Sequence, residues 1–201
     1  MRRFLIATIL LTAATPAALA QSAPTVLSCE GVFDKTSDHA RLVKVFGAGA
    51  VAYTKIAGAE GMDQLASVVN PKDSARRLEF VWMNEKARKE PHVLVRDRSR
   101  WKTPDGIGIG SSLADVEKLN GKPFELSGFD WDYGGVVTDL KGGALASRKG
   151  GCVLGLRFGA DLNAPEKARS AVSGDKTIAS SNPDMRAARP TVTEISIGWR
   201  R

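Results

Sequence analysis

In this chain of 201 residues, the segment Gly128 to Gly135 concentrates the side chains that recognise ligands: Phe129, Asp130, Trp131, Asp132 and Tyr133 between glycines. Read as a strand over 129–137, period-two alternation puts Phe129, Trp131 and Tyr133 on one side and Asp130 and Asp132 on the other. Facing water, the aromatic side offers flat surfaces for a sugar ring or anchors for a protein partner. Facing a helix, it is core. With Glu125 and Asp139, the two aspartates supply the paired carboxylates that glycoside hydrolysis needs at separations of about 5 to 9 Å. Adjacent acids on a wet strand face are commonplace, however, and nothing in the sequence raises the pKa of one of them. The five residues 129–133 are therefore the candidate binding set, with Asp130 and Asp132 a catalytic alternative.

Other chemistry finds little support. His39 and His92 have no second histidine or cysteine at ligand spacing, so no metal is expected. No Gly-x-Ser-x-Gly segment presents a serine nucleophile, and Gly106, Gly108 and Gly110 lack the lysine and spacing of a phosphate loop. Trp82, Trp101 and Trp199 stand near cations such as Arg98, Arg100 and Lys102, a pairing that usually stabilises a surface without marking a ligand. The chain reads as non-enzymatic and without a cofactor.

The cysteines point to a compartment. Cys29 and Cys152 are the only two, too far apart in sequence for a redox Cys-x-x-Cys pair, and in an oxidising environment they are expected to form one structural disulfide. Met1, Arg2 and Arg3, an apolar run from Phe4 to Ala14, and the small residues ending at Ala20 have the three regions of a signal peptide, with cleavage expected after Ala20. That run is well short of the roughly 20 residues a spanning helix needs, so the protein is expected to be periplasmic or secreted and not integral to a membrane. Val26, Leu27, Ser28 and Cys29 loosely imitate a lipidation site, but polar residues separate Cys29 from the apolar run. Loss of Arg2 and Arg3 takes the formal charge from +7 to +5. The cations are spread, densest over 86–102, and suit a solvated face or an acidic partner better than nucleic acid.

These residues need elements to position them. Ser37 is expected to cap a helix from Asp38 to Phe46, with Leu42, Val45 and Phe46 on one stripe and Gly47 after its end. Strands are expected at 51–56, 64–69, 78–83 and 92–95, with a turn at 70–73. Ser111 or Ser112 caps a second helix bearing Leu113, Val116 and Leu119 and ending at Gly121. Further strands are expected at 123–127, 129–137, 152–158 and 191–199, a short helix at 165–173 and a loop at 180–190. Ser37 over Ser111 also aligns Leu42 with Val116 and Gly47 with Gly121, an offset of 74 residues. The pattern describes an α+β fold of antiparallel sheet with short helices on one face: a first repeat over 21–104 and a second over 105–201.

The run Gly110-x-Ser112-x-x-x-Val116-x-x-x-x-Gly121-x-Pro123 resembles the opening of small envelope domains such as the BamE-like lipoprotein of the outer-membrane β-barrel assembly machine. A tandem pair of such units is similar to the secreted β-lactamase inhibitor protein. The likeness spans residues 30–200 in outline, but only about 20 of them are motif-like, and those mark a helix start and stop. It implies an exposed sheet face that binds another envelope protein, and no catalytic residues. Asn120 departs from the usual apolar residue before the glycine, and the inhibitor's pattern of two disulfides is absent, so a β-lactamase target does not follow. The expected function is an exported protein-binding module, with Trp131 and Tyr133 as anchors and an envelope protein as partner. The alternative is a glycan- or peptidoglycan-binding module.

Overall fold

A computed structural model describes residues 25–199. The expected signal peptide lies outside them. The fold is α+β: four α-helices and two antiparallel sheets among the described residues. Helix α1 (His39–Phe46) leads into strands β1 (Val51–Ala57), β2 (Asp63–Val69), β3 (Leu78–Asn84) and β4 (Lys89–Arg96). Helix α2 (Leu113–Asn120) is followed by β5 (Glu125–Ser127), β6 (Val137–Asp139) and β7 (Val153–Gly159). The chain ends with α3 (Glu166–Ala171), β8 (Thr177–Ala179), α4 (Pro183–Ala187) and β9 (Thr191–Gly198).

Local signals explain most of these boundaries. Asp38, not the expected Ser37, caps α1 by accepting from the Arg41 amide at 2.8 Å, while Ser37 is fully buried beside it. Carboxylate and hydroxyl serve this position equally well, so neighbouring candidates leave the choice to packing. Ser112 caps α2, accepting from the Asp115 amide and donating to the Asp115 carboxylate, a reciprocal closure. Gly121 ends α2 at φ 78°, a left-handed geometry that suits glycine. The apolar stripes need two corrections. Val45 and Leu119 point outward, whereas Asn120 is buried, donating to the Lys122 and Leu140 carbonyls and accepting from the Leu145 amide. A buried amide tolerates that position because all three neighbouring backbone groups use it. The loop expected at 180–190 contains α4, which Asn182 caps through the amides of Asp184 and Met185 with Pro183 in its first turn.

The larger sheet runs β1-β2-β3-β4-β9-β7, and the smaller β6-β5-β8. A single bridge between Val136 and Arg157 links them. On one face Leu78, Phe80, Trp82, Val93, Val95, Ile195, Ile197, Leu154, Leu156 and Phe158 join helix residues Leu42, Leu113, Val116 and Met185 in the main core. The final strand has the expected buried and solvated sides over 194–198, but a bulge opposite Arg157 and Phe158 lets Val192 turn inward too. On the opposite face only strand residues cluster: Ile56, Ala66, Val68, Leu94 and Val81. Glu79 lies on that face almost fully buried, its oxygens held by Arg77 at 2.6 Å and Arg96 at 2.5 Å.

The disulfide forms as expected between Cys29 and Cys152, whose Cα atoms are 5.5 Å apart, tying the N-terminal segment to the start of β7. No described helix is long and apolar enough to cross a membrane. Closing a loop of 123 residues removes a large part of the unfolded chain's entropy, about 4 to 5 kcal/mol at most on the chain-entropy model. Replacing both cysteines by serine is therefore expected to lower the thermal midpoint by about 8 to 15 °C, measured by circular dichroism.

A second polar knot joins α1 to the sheet. The Trp82 indole donates to buried Ser67 Oγ at 2.9 Å, and Ser67 Oγ lies 2.7 Å from His39 Nδ1. A neutral His39 accepting the hydroxyl proton satisfies all three groups. Burial, reinforced by Arg88 and opposed by Asp38, holds His39 below its ordinary pKa of 6.5, and burial alone does the same for His92. The unfolded chain thus takes up protons first as pH falls. Stability from these two groups is complete above pH 6.5 and declines below it. The thermal midpoint is expected to drop between pH 8 and pH 5, and the drop to shrink in a His39→Asn/His92→Asn double variant.

Candidate functional site

The segment 129–137 is not the strand its alternation suggests. Asp130 adopts φ 64°, which breaks the extended path, and Gly135 is left-handed at φ 72°. Gly135 also packs so tightly on the Phe158 carbonyl that any side chain would collide with it, and its carbonyl accepts from the Phe158 amide at 2.8 Å. The segment is a loop anchored to β7 on one side and, through Phe129, to the Val172 carbonyl and the Gly174 amide on the other. Period-two logic fails because backbone hydrogen bonds go to loops instead of to a strand ladder.

The three aromatics consequently separate. Phe129 is 5% exposed and belongs to the main core, so it is no binding residue. Trp131 is half-buried and Tyr133 is 47% exposed. Their rings meet edge to face with centroids 5.6 Å apart. The Trp131 indole donates to the Gly128 carbonyl at 2.9 Å, and the Tyr133 hydroxyl reaches Glu60 Oε1 at 3.2 Å. That bond to Glu60, foremost among the causes, pushes the phenol above its ordinary pKa of 10.0 and keeps it protonated. Two anchored rings lose little freedom on binding, which favours recognition.

Glu60 sits at the tip of the β1–β2 hairpin, and its presence here shows how the sheet is shaped. Arg96, near the end of β4, donates to the Ala57 carbonyl at the end of β1 at 2.9 Å. A flat sheet would hold those strands about 14 Å apart, so the hairpin twists diagonally across the face that carries no helix. Its tip brings Glu60 to the aromatic pair, two residues before Met62, which is 63% exposed. On the other flank Leu162, 81% exposed, lines with Trp131, Asp130 and Arg169 a recess of about 190 Å³. Glu60 and Leu162 had no local signal, since two segments far from the aromatic loop in sequence bring them to it.

The acidic residues do not assemble a hydrolytic pair. Asp130 and Asp132 are both exposed, on a turn instead of a common strand face. Glu125 and Asp139 are register partners, but Lys141 lies between them, 2.8 Å from Glu125 and 3.3 Å from Asp139. Hydrogen bonds from the Lys141 backbone and side chain hold Asp139 below its ordinary pKa, the opposite of what a catalytic acid needs. Among the described residues no group of three or more His, Cys, Asp or Glu could hold a metal ion. Comparison of the chain with protein-family models, with curated proteins and with solved structures returned no match.

The burial difference has a direct consequence. Phe129→Ala is expected to destabilise the fold by about 3 to 5 kcal/mol, and Tyr133→Phe by less than about 0.5 kcal/mol, in urea unfolding.

Proposed function

We propose that this chain is an exported, non-enzymatic binding protein that holds another protein of the cell envelope through the patch centred on Trp131 and Tyr133. The observation that carries this reading is a pair of aromatic rings held at the surface by hydrogen bonds, with exposed Leu162 beside Trp131. Aromatics of this kind supply most of the energy at protein interfaces. The disulfide and the N-terminal signal pattern support placement in the periplasm or outside the cell.

A tandem origin rests on the offset of 74 residues between the two helix patterns. The strands after α1 share one sheet, whereas those after α2 divide, with β7 and β9 in the large sheet and β5, β6 and β8 in the small one. A glycan reading has one observation of its own, the recess in which Trp131 stands beside Asp130 and Arg169.

A photo-crosslinking residue in place of Leu162 is expected to give one dominant protein adduct in the producing cell. Its yield should fall at least about 30-fold in the Trp131→Ala/Tyr133→Ala background, while a Lys149→Ala control changes nothing. An adduct indifferent to both rings refutes the protein reading. Co-sedimentation with insoluble peptidoglycan that Trp131→Ala abolishes replaces it with the glycan one.

A further inference from the structure

Beyond the reach of the twisted hairpin, the helix-free face of the large sheet holds a cavity of about 550 Å³ that no candidate residue touches. Register dictates its form. His92 stands opposite Val81, Ser196 opposite both Leu94 and Gly155, and Gly198 opposite Val153. Gly155 and Gly198 therefore occupy two inward positions where strands ordinarily carry side chains. Neither has a left-handed backbone, so no turn requires glycine there. A glycine in a strand interior weakens it and often marks a close approach by another molecule.

The glycines let their neighbours lie low over the sheet. A Cβ on Gly198 would come within 2.7 Å of His92 Nδ1, and one on Gly155 would press on Ser196 Oγ. Among the described residues, neither the His92 ring nor the Ser196 hydroxyl has a hydrogen-bond partner. Met83 and Val153, both exposed, form walls with Pro91 and Trp199. Lys35 and Glu90 supply one cation and one anion, both solvent-exposed, and the other lining residues are apolar, glycine, serine or histidine. Burial keeps His92 below the ordinary imidazole range, so near neutral pH it brings no charge.

The size falls within the roughly 300 to 1,000 Å³ typical of small-molecule sites. The imidazole and hydroxyl folded down over the two glycines make a low floor that suits a ring, their unpartnered polar atoms suit a neutral hydrogen-bonding group, and the balanced charges disfavour an ion. We propose that this cavity binds an uncharged, flat, mostly apolar compound of two or three rings that carries a hydroxyl or amide group. The ring lies between Met83 and Trp199 over the floor that His92 and Ser196 form above Gly198 and Gly155, and its polar group bonds His92 and Ser196.

Titration of the purified protein with 2-naphthol at pH 7, followed by amide chemical shifts, tests this site. Saturable shifts are expected at Gly155, Ser196 and Gly198, with 2-naphthoate binding at least about tenfold more weakly. Gly155→Val displaces the Ser196 hydroxyl and raises the floor, and should weaken 2-naphthol about tenfold or more, and Ser196→Ala about fivefold. Met83→Glu, at an exposed wall that leaves folding intact, should also weaken it about tenfold. Trp131→Ala should leave binding unchanged, which separates this cavity from the protein-binding patch. Shifts that never saturate, that map elsewhere, that 2-naphthoate reproduces equally, or that survive both Gly155→Val and Met83→Glu overturn the proposal.

Discussion

The pairing of β4 with β9 holds the rest of the structure in place. Val93, Leu94, Val95 and Arg96 align with Ile197, Ser196, Ile195 and Glu194, and this one ladder joins the strands that follow α1 to those that follow α2. Apart, the four strands that follow α1 have one short helix to cover them, and β7 with β9 makes only a two-stranded ribbon, too little for a domain of this length. Joined, they give a single face on which Leu42 and Val116 share one core with Phe80 and Phe158. The disulfide reinforces the same union, since Cys29 belongs to the first half and Cys152 to the second.

Much of that architecture was legible because local chemistry and tertiary packing agree. The Ser112 cap of α2, the glycine stops of α1 and α2, the alternation of Leu78, Phe80 and Trp82, and the turn at Asn70, where the Asp73 amide bonds the Asn70 carbonyl, all sit where the residues imply. Failures fall where long-range contacts outvote a local pattern. Phe129, Trp131 and Tyr133 alternate cleanly, but the left-handed Asp130 and the fit of Gly135 against β7 turn one ring inward and one outward. Asn120 replaces an apolar residue because a loop 20 residues away needs its amide. Of the candidate site, Trp131 and Tyr133 could be named from sequence, whereas Glu60 depends on a twist of the β1–β2 hairpin and Leu162 on the path after β7, which no short window encodes. Gly155 and Gly198 did leave a trace, as glycines inside strand patterns.

The helix-free face combines two environments. At one end Glu79, Arg77 and Arg96 form a buried ionic cluster, with Glu194 3.8 Å from Arg96. Loss of either arginine would leave charge uncompensated in a dry setting, so the cluster fixes how the β1–β2 hairpin lies more than it adds net stability. Arg96 uses a further N–H to hold the Ala57 carbonyl, coupling that charge network to the hairpin. Arg157 extends the row and donates to the Asp132 carbonyl, which places the aromatic loop against the same surface. At the other end glycines replace charge, and the surface is concave and apolar.

β9 is last in sequence yet next to last in the large sheet, between β4 and β7. The sheet is therefore complete only when residues 191–198 fill the slot between β4 and β7. Without them β4 presents an open edge and Val93 and Val95 lack half their cover. Any opening at this seam would strip Val93 and Val95 of their partner strand and bare an apolar edge, so lasting closure here is what keeps that edge from other chains.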